Sequence, residues 1–175
     1  MYLGWSQHGV SILDPEVTGG DNTGLLAIHS LSKTSNLASY RAGWIAGDEK
    51  LVQELLLVRK HAGLMVPGPI QHAMVAALND DTHEQLQKSL YANRRLVLLK
   101  ALTEAGFTVD HSEAGLYLWA RREGLDGRGS LDWLAERGIL AAPGDFYGPA
   151  GAGHVRVGLT AVSYTHLTLP TNREV

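Results

Sequence analysis

The chain has 175 residues, of which 45% are hydrophobic and 19% charged, with a formal net charge of −3 and no cysteine. That balance is typical of a globular protein able to bury a core. Nucleic acid is not expected as a partner, because the basic residues are scattered, apart from Arg94-Arg95 and Arg121-Arg122, and phosphate backbones need a clustered basic face. Without cysteine, disulfides and thiolate metal sites are excluded. The eight histidines (8, 29, 61, 72, 83, 111, 154 and 166) show no ligand spacing of the His-Glu-x-x-His kind, so no metal site is expected either. No apolar run approaches the ~20 residues of a membrane span, and the first residues lack the basic and apolar regions of a signal peptide. The default expectation is a cytoplasmic protein with no membrane partner.

Residues 1 to 24 open on a short apolar stretch and continue through the polar, glycine-rich Gly19-Gly20-Asp21-Asn22, which is loop chemistry. Leu25-Leu26-Ala27-Ile28 then reads as a buried strand, and Trp44-Ile45-Ala46-Gly47 as a second. Between them stand Ser30, Ser32, Lys33, Thr34 and Arg41. A lysine at the mouth of two buried strands is poorly placed for a solvated surface charge. Desolvation and a neighbouring cation both lower a lysine's pKa and make its amine a nucleophile toward carbonyls. The hydroxyls and Arg41 have the chemistry to bind a phosphate. On residue types alone, an ordinary solvated lysine on a loop accounts for the stretch as well.

Asp48 is placed to cap a helix over Glu49 to His61, with Leu51, Leu55 and Val58 on one face. Met65-Val66-Pro67-Gly68-Pro69 interrupts it, and Pro69 suits the first position of a helix over Ile70 to Leu78. Thr82-His83-Glu84-Gln85 is a capping-box pattern opening a long helix toward Ala105, stopped by Gly106. Short strands follow at Phe107–Val109 and Leu116–Ala120, then a glycine-rich loop from Leu125 to Ser130. Ser130 is expected to cap a short helix ending near Gly138, ahead of a strand at Ile139–Ala142, a loop at Pro143–Gly148 and a last strand at His154–Gly158. Strands alternating with helices suit a small α+β domain. Tyr117 and Trp119 read as its core. In Val155-Arg156-Val157 the arginine faces away from its apolar neighbours, so the pattern alone makes it a solvent-facing strand residue.

Ser30-Leu31-Ser32-Lys33, followed by Arg41 and Gly43, resembles the pyridoxal-phosphate attachment signature of the class I/II aminotransferases of fold type I. The resemblance implies an α/β chain forming the C-terminal part of such an enzyme: the end of the large mixed-sheet domain plus the small α+β domain. Residues 1–47 would be the remnant of the large domain, 48–105 the interdomain helices, 106–161 the small domain, and 162–175 a non-native tail resembling adapter read-through. It further implies pyridoxal 5′-phosphate as cofactor, with Lys33 binding it covalently and moving the substrate proton. Ser30 and Arg41 would hold the cofactor phosphate, with Ser32 and Thr34 ranked behind them. Tyr2 would bond the phenolic oxygen, although the aspartate that the family places ahead of this tyrosine would fall before Met1. Arg156 would grip the α-carboxylate of an amino-acid substrate. Small-molecule amino and 2-oxo acids are the implied partners, and a homodimer the implied assembly.

Four longer strings sharpen the expectation: residues 29–38, Val66–Gln71, His111–Trp119 and Pro143–Gly148. Together they resemble the actinobacterial type of succinyldiaminopimelate transaminase. That enzyme exchanges an amino group between N-succinyl-LL-2,6-diaminopimelate and 2-oxoglutarate in lysine and diaminopimelate biosynthesis. Another class I/II aminotransferase of aspartate or alanine type, or a truncated chain without activity, remain the competing expectations.

Overall fold

A computed structural model describes residues 9–160; Tyr2 and the tail 162–175 lie outside the described residues. The fold divides between Leu90 and Tyr91 into two compact units.

The first unit opens with a one-turn helix, α1 (Pro15–Thr18), inside the span expected to be loop. The Asp14 carboxylate caps it by accepting the Glu16 N–H at 2.9 Å, and Gly19 closes it in the left-handed region. Strands β1 (Leu26–Ser30) and β2 (Gly43–Gly47) then pair antiparallel, from Leu26 opposite Gly47 to Ser30 opposite Gly43. A side chain at Gly43 or Gly47 would run into the carbonyl oxygen of His29 or Leu25 on the facing strand, so the close pairing requires glycine at both. The sequence pointed to buried strands; instead, neither contains a buried residue, and Ile28 is 76% exposed. Among the described residues the two strands pair only with each other, which leaves their outer edges unpaired. The buried residues of this unit are Leu31, Ala42 and Met74, with Leu37, Trp44, Val66, Ile70 and Ala77 packed against them. The small core therefore lies under the connection between the strands and anchors both ends of it.

Helix α2 (Glu49–His61) has the expected bounds. Asp48 accepts the N–H groups of Lys50 (2.8 Å) and Leu51 (3.2 Å) with one oxygen and that of Gly24 (2.7 Å) with the other. These bonds, that from Gly24 foremost, hold the Asp48 carboxyl below the usual carboxylate range. Helix α3 (Gly68–Leu78) starts two residues earlier than expected, with Pro67 as its cap. Helix α4 (Asp81–Glu104) begins ahead of the expected box. Asp80, one residue upstream of the helix, accepts the Thr82 N–H (3.0 Å) and bonds His83 Nδ1 (3.0 Å), so a carboxylate takes the place assigned to the Thr82 hydroxyl.

The second unit carries an antiparallel sheet in the order β3-β4-β6-β5, formed by β3 (Phe107–Asp110), β4 (Tyr117–Arg122), β5 (Ala142–Pro143) and β6 (Val155–Gly158). Helix α5 (Gly127–Ala135) corrects the expected glycine-rich loop. Asp126, not Ser130, is its cap and accepts the Gly129 N–H at 2.7 Å, while Ser130 is fully buried inside the helix. Gly127 donates to the Ala152 carbonyl at 2.8 Å, and a Cβ there would sit 2.6 Å from the His154 carbonyl oxygen. The glycines thus serve close packing of the first turn. The strand expected at Ile139–Ala142 is reduced to the two-residue edge β5, and Leu140 is 89% exposed.

Alternation sorts the sheet into two faces. Leu118, Ala120, Val155 and Val157 are buried, as are Phe107, Leu134 and Leu159. Tyr117, Trp119 and Arg156 share the opposite face, with Trp119 directly across from Arg156 and from Asp110. Tyr117 and Trp119 are therefore not core residues, as expected from the sequence, and Tyr117 is 42% exposed. Gly144 donates to the His154 carbonyl at 2.9 Å, and a Cβ there would lie 2.6 Å from that oxygen and 2.9 Å from Trp119 Cη2. Gly144→Ala is accordingly expected to cost about 1–3 kcal/mol, read as a lower midpoint in thermal unfolding followed by circular dichroism.

Candidate functional site

The pairing of Ser30 with Gly43 fixes the two ends of the connection that carries Lys33. The Ser30 hydroxyl lies 2.7 Å from the Ser32 hydroxyl, accepts the Ser32 N–H at 3.1 Å and donates to the Ala42 carbonyl at 3.3 Å. One side chain thus ties the outgoing arm to the returning one beside Arg41. The N–H groups of Ser35 (3.1 Å) and Leu37 (3.3 Å) converge on the Leu31 carbonyl and close a turn around Lys33, which is half-buried. Arg41 adopts a left-handed backbone (φ 50°), uncommon for a residue with a long side chain. Its guanidinium donates to the Ala38 carbonyl at 3.1 Å, bracing the single 3-10 turn at Ala38–Tyr40. Thr34 is 5% exposed, and its Oγ1 is buried with no hydrogen-bond partner. A buried hydroxyl left in that state costs free energy, so the loop holds a polar group that a ligand could satisfy. His29 stacks on Trp44 directly across the strand pair, with ring centroids 5.3 Å apart.

Ser30 and Ser32 are bonded to each other on the same connection between β1 and β2 that carries Lys33 and Arg41. Two mutually bonded hydroxyls, a guanidinium and an amine suit a phosphate ester that also carries a carbonyl. The donor set fits pyridoxal 5′-phosphate. Thr34, ranked low from the sequence, gains weight from its orphaned hydroxyl. Tyr2 lies outside the described residues.

Arg156 belongs to the second unit. Its guanidinium carbon lies 4.3 Å from the centroid of the Tyr117 ring and 5.2 Å from that of Tyr147, both within cation–π range. Its Nε is buried without a hydrogen-bond partner. The residue is half-buried, not the open surface arginine its strand pattern suggests. Trp119, beside it, stacks on His154 at 5.0 Å and meets Tyr147 edge-on at 5.7 Å. His154 Nε2 bonds Asp110 Oδ2 at 3.0 Å, and Arg121 Nε donates to the same oxygen at 3.0 Å. The His154 bond first, and Arg121 second, hold the Asp110 carboxyl below its ordinary range. Neither Tyr147 nor the Asp110–His154 pair stood out in the sequence. Asp110 and His154 stand 44 residues apart in the chain, and Tyr147 reaches the sheet from an irregular turn, so no local pattern in the sequence unites them.

Residues 5–168 match the family described as Aminotransferase class I and II. The chain belongs to that family, whose members depend on pyridoxal phosphate. It is 65% identical over 159 residues to the probable aminotransferase Rv1178 of Mycobacterium tuberculosis, covering 91% of this chain and 38% of that protein. It is 57% identical over 158 residues to the 4-dedimethylamino-4-oxo-anhydrotetracycline transaminase OxyQ of Streptomyces rimosus, covering 90% of this chain and 44% of that one. Its fold overlays the probable N-succinyldiaminopimelate aminotransferase of Thermus thermophilus with a TM-score of 0.73 at 27% identity, covering 95% of this chain and 45% of that structure. The chain thus spans less than half the length of the relatives it matches, and it carries the fold of the C-terminal part of these enzymes.

Proposed function

We propose that this chain is the C-terminal part of a pyridoxal-phosphate-dependent aminotransferase, active as a homodimer in the cytoplasm. Its preferred exchange is between N-succinyl-LL-2,6-diaminopimelate and 2-oxoglutarate. The observation that carries the reading is the loop in which Ser30 ties both arms of the β1–β2 connection around Lys33. Bound pyridoxal phosphate would supply a conjugated ring able to take up the electron pair left at the substrate α-carbon. The chain's own residues do the rest. Ser30, Ser32 and Arg41 hold the phosphate, with Thr34 Oγ1 as a further donor. Lys33 Nζ would hold the carbonyl carbon of the cofactor, and as a free amine would accept and return the α-proton at that same atom. Arg156 fixes the α-carboxylate through a two-pronged contact.

The choice of substrate rests on the resemblance of the four strings to succinyldiaminopimelate transaminases and on the likeness to the Thermus protein named as a probable enzyme of that kind. The higher identity to OxyQ favours a second reading, a polycyclic ketone as amino acceptor. The full-length enzyme, assayed with N-succinyl-LL-2,6-diaminopimelate, aspartate and alanine as donors and a tetracycline-type ketone as acceptor, separates these. The first reading expects the succinylated donor to give a kcat/KM at least about tenfold above the others, a margin worth about 1.4 kcal/mol in the transition state. A higher value for any competitor overturns it.

A further inference from the structure

The face of the sheet around Arg156 holds more than the arginine. Tyr147 sits on the 3-10 turn Gly144–Tyr147, and its ring meets both Trp119 and the Arg156 guanidinium. Several contacts hold that turn in place. Asp145 accepts from Arg128 Nε at 2.9 Å and from its Nη2 at 3.1 Å, and Gly148 N–H donates to the Asp145 carbonyl at 3.1 Å. On the inner side, Gly144 approaches the edge of Trp119 more closely than a residue with a Cβ could, and Gly151 is packed so close to the Gly144 carbonyl that it too has no room for one. Tyr147 itself is 54% exposed, so it contributes little to the core. Its ring is nonetheless held at a defined place over a charged side chain, on the same patch as Tyr117.

A guanidinium is planar and weakly hydrated on its faces, and it makes its hydrogen bonds in its plane. Aromatic rings against the faces leave the N–H edge to a ligand and restrict rotation of the group before the ligand arrives. Less conformational freedom is then lost on binding. We propose that Tyr147 is a positioning residue for carboxylate recognition, acting with Tyr117 to hold the Arg156 guanidinium with its N–H edge presented to the substrate carboxylate. The proposal rests on the reading of Arg156 as the carboxylate-binding residue.

The test uses the full-length, cofactor-loaded enzyme and two readouts. One is steady-state kinetics with the amino donor. The other is calorimetric binding of glutarate, a dicarboxylate with no oxo group to react. Tyr147→Leu is expected to raise KM and the glutarate Kd roughly three- to tenfold while kcat stays within about twofold, as loss of a cation–π contact predicts. Tyr147→Phe, which keeps the ring, should rescue both constants. Tyr147→Gln, similar in reach but without a ring, serves if the leucine variant does not fold, and should behave like it. Arg156→Ala, run in parallel, separates the two levels. If it weakens glutarate binding and the ring-less Tyr147 variants do not, the positioning role of Tyr147 is overturned and the reading of Arg156 stands. If Arg156→Ala leaves glutarate binding unchanged, the reading of Arg156 falls and takes this proposal with it. A loss confined to kcat in the Tyr147 variants also counts against the proposal.

Discussion

Lys33→Ala in the full-length enzyme is expected to abolish turnover, with a fall in kcat of at least about 10³-fold, within the range for removing a positioned acid–base group. The expectation follows from how the loop is built. Lys33 is half-buried, between Ser32, which is bonded to Ser30, and the buried Thr34. The turn around it is closed by backbone bonds to the Leu31 carbonyl and anchored by the buried Leu31 and Ala42. Those contacts come from the backbone and from neighbouring side chains. Lys33→Arg should not rescue activity, because a guanidinium stays protonated at neutral pH and cannot act as a base. The independent check is borohydride reduction of the wild-type holoenzyme, digestion and mass spectrometry. The cofactor mass should appear on the peptide containing Lys33. Its appearance on any other lysine would sink the assignment.

What the sequence could reveal, and what it could not, divides along physical lines. Helix α2 was legible to the residue because Asp48 is the only good cap ahead of its apolar stripe. Helices α4 and α5 were misplaced at their starts for one shared reason. In each case two acceptors compete, and the upstream carboxylate (Asp80, Asp126) prevails over the downstream hydroxyl (Thr82, Ser130). Residue identity nominated the candidate members of the Lys33 loop, but did not indicate that Ser30 ties its arms together, since that depends on the register of β1 against β2. Burial of the strands was misread because an apolar run reports what a strand is able to bury, not what is there to cover it; Ile28 lies open. The run Leu116–Ala120 misled in a different way. Strict alternation sends Leu118 and Ala120 inward and turns Tyr117 and Trp119 toward Arg156. Tyr147 reaches Arg156 from an irregular turn, and no periodicity encodes such a contact.

That same alternation determines what removing Arg156 should do. The side chain lies on the sheet face opposite the buried Val155 and Val157, so its loss opens no cavity in the core. What disappears is a charge-assisted fork worth about 1.5–3 kcal/mol to a bound carboxylate. Arg156→Ala should therefore raise KM for the amino donor about 10- to 100-fold at the tenfold-per-1.4 kcal/mol exchange rate. Arg156→Lys should recover only part of this, since an ammonium cannot offer two parallel N–H groups to one carboxylate. Cofactor content, read from the absorbance of the bound group, should stay at the wild-type level in both variants, because the donors fitted to the phosphate all belong to the other unit. Loss of cofactor with Arg156→Ala would make the arginine a structural residue and return it to the role that its strand pattern alone assigns.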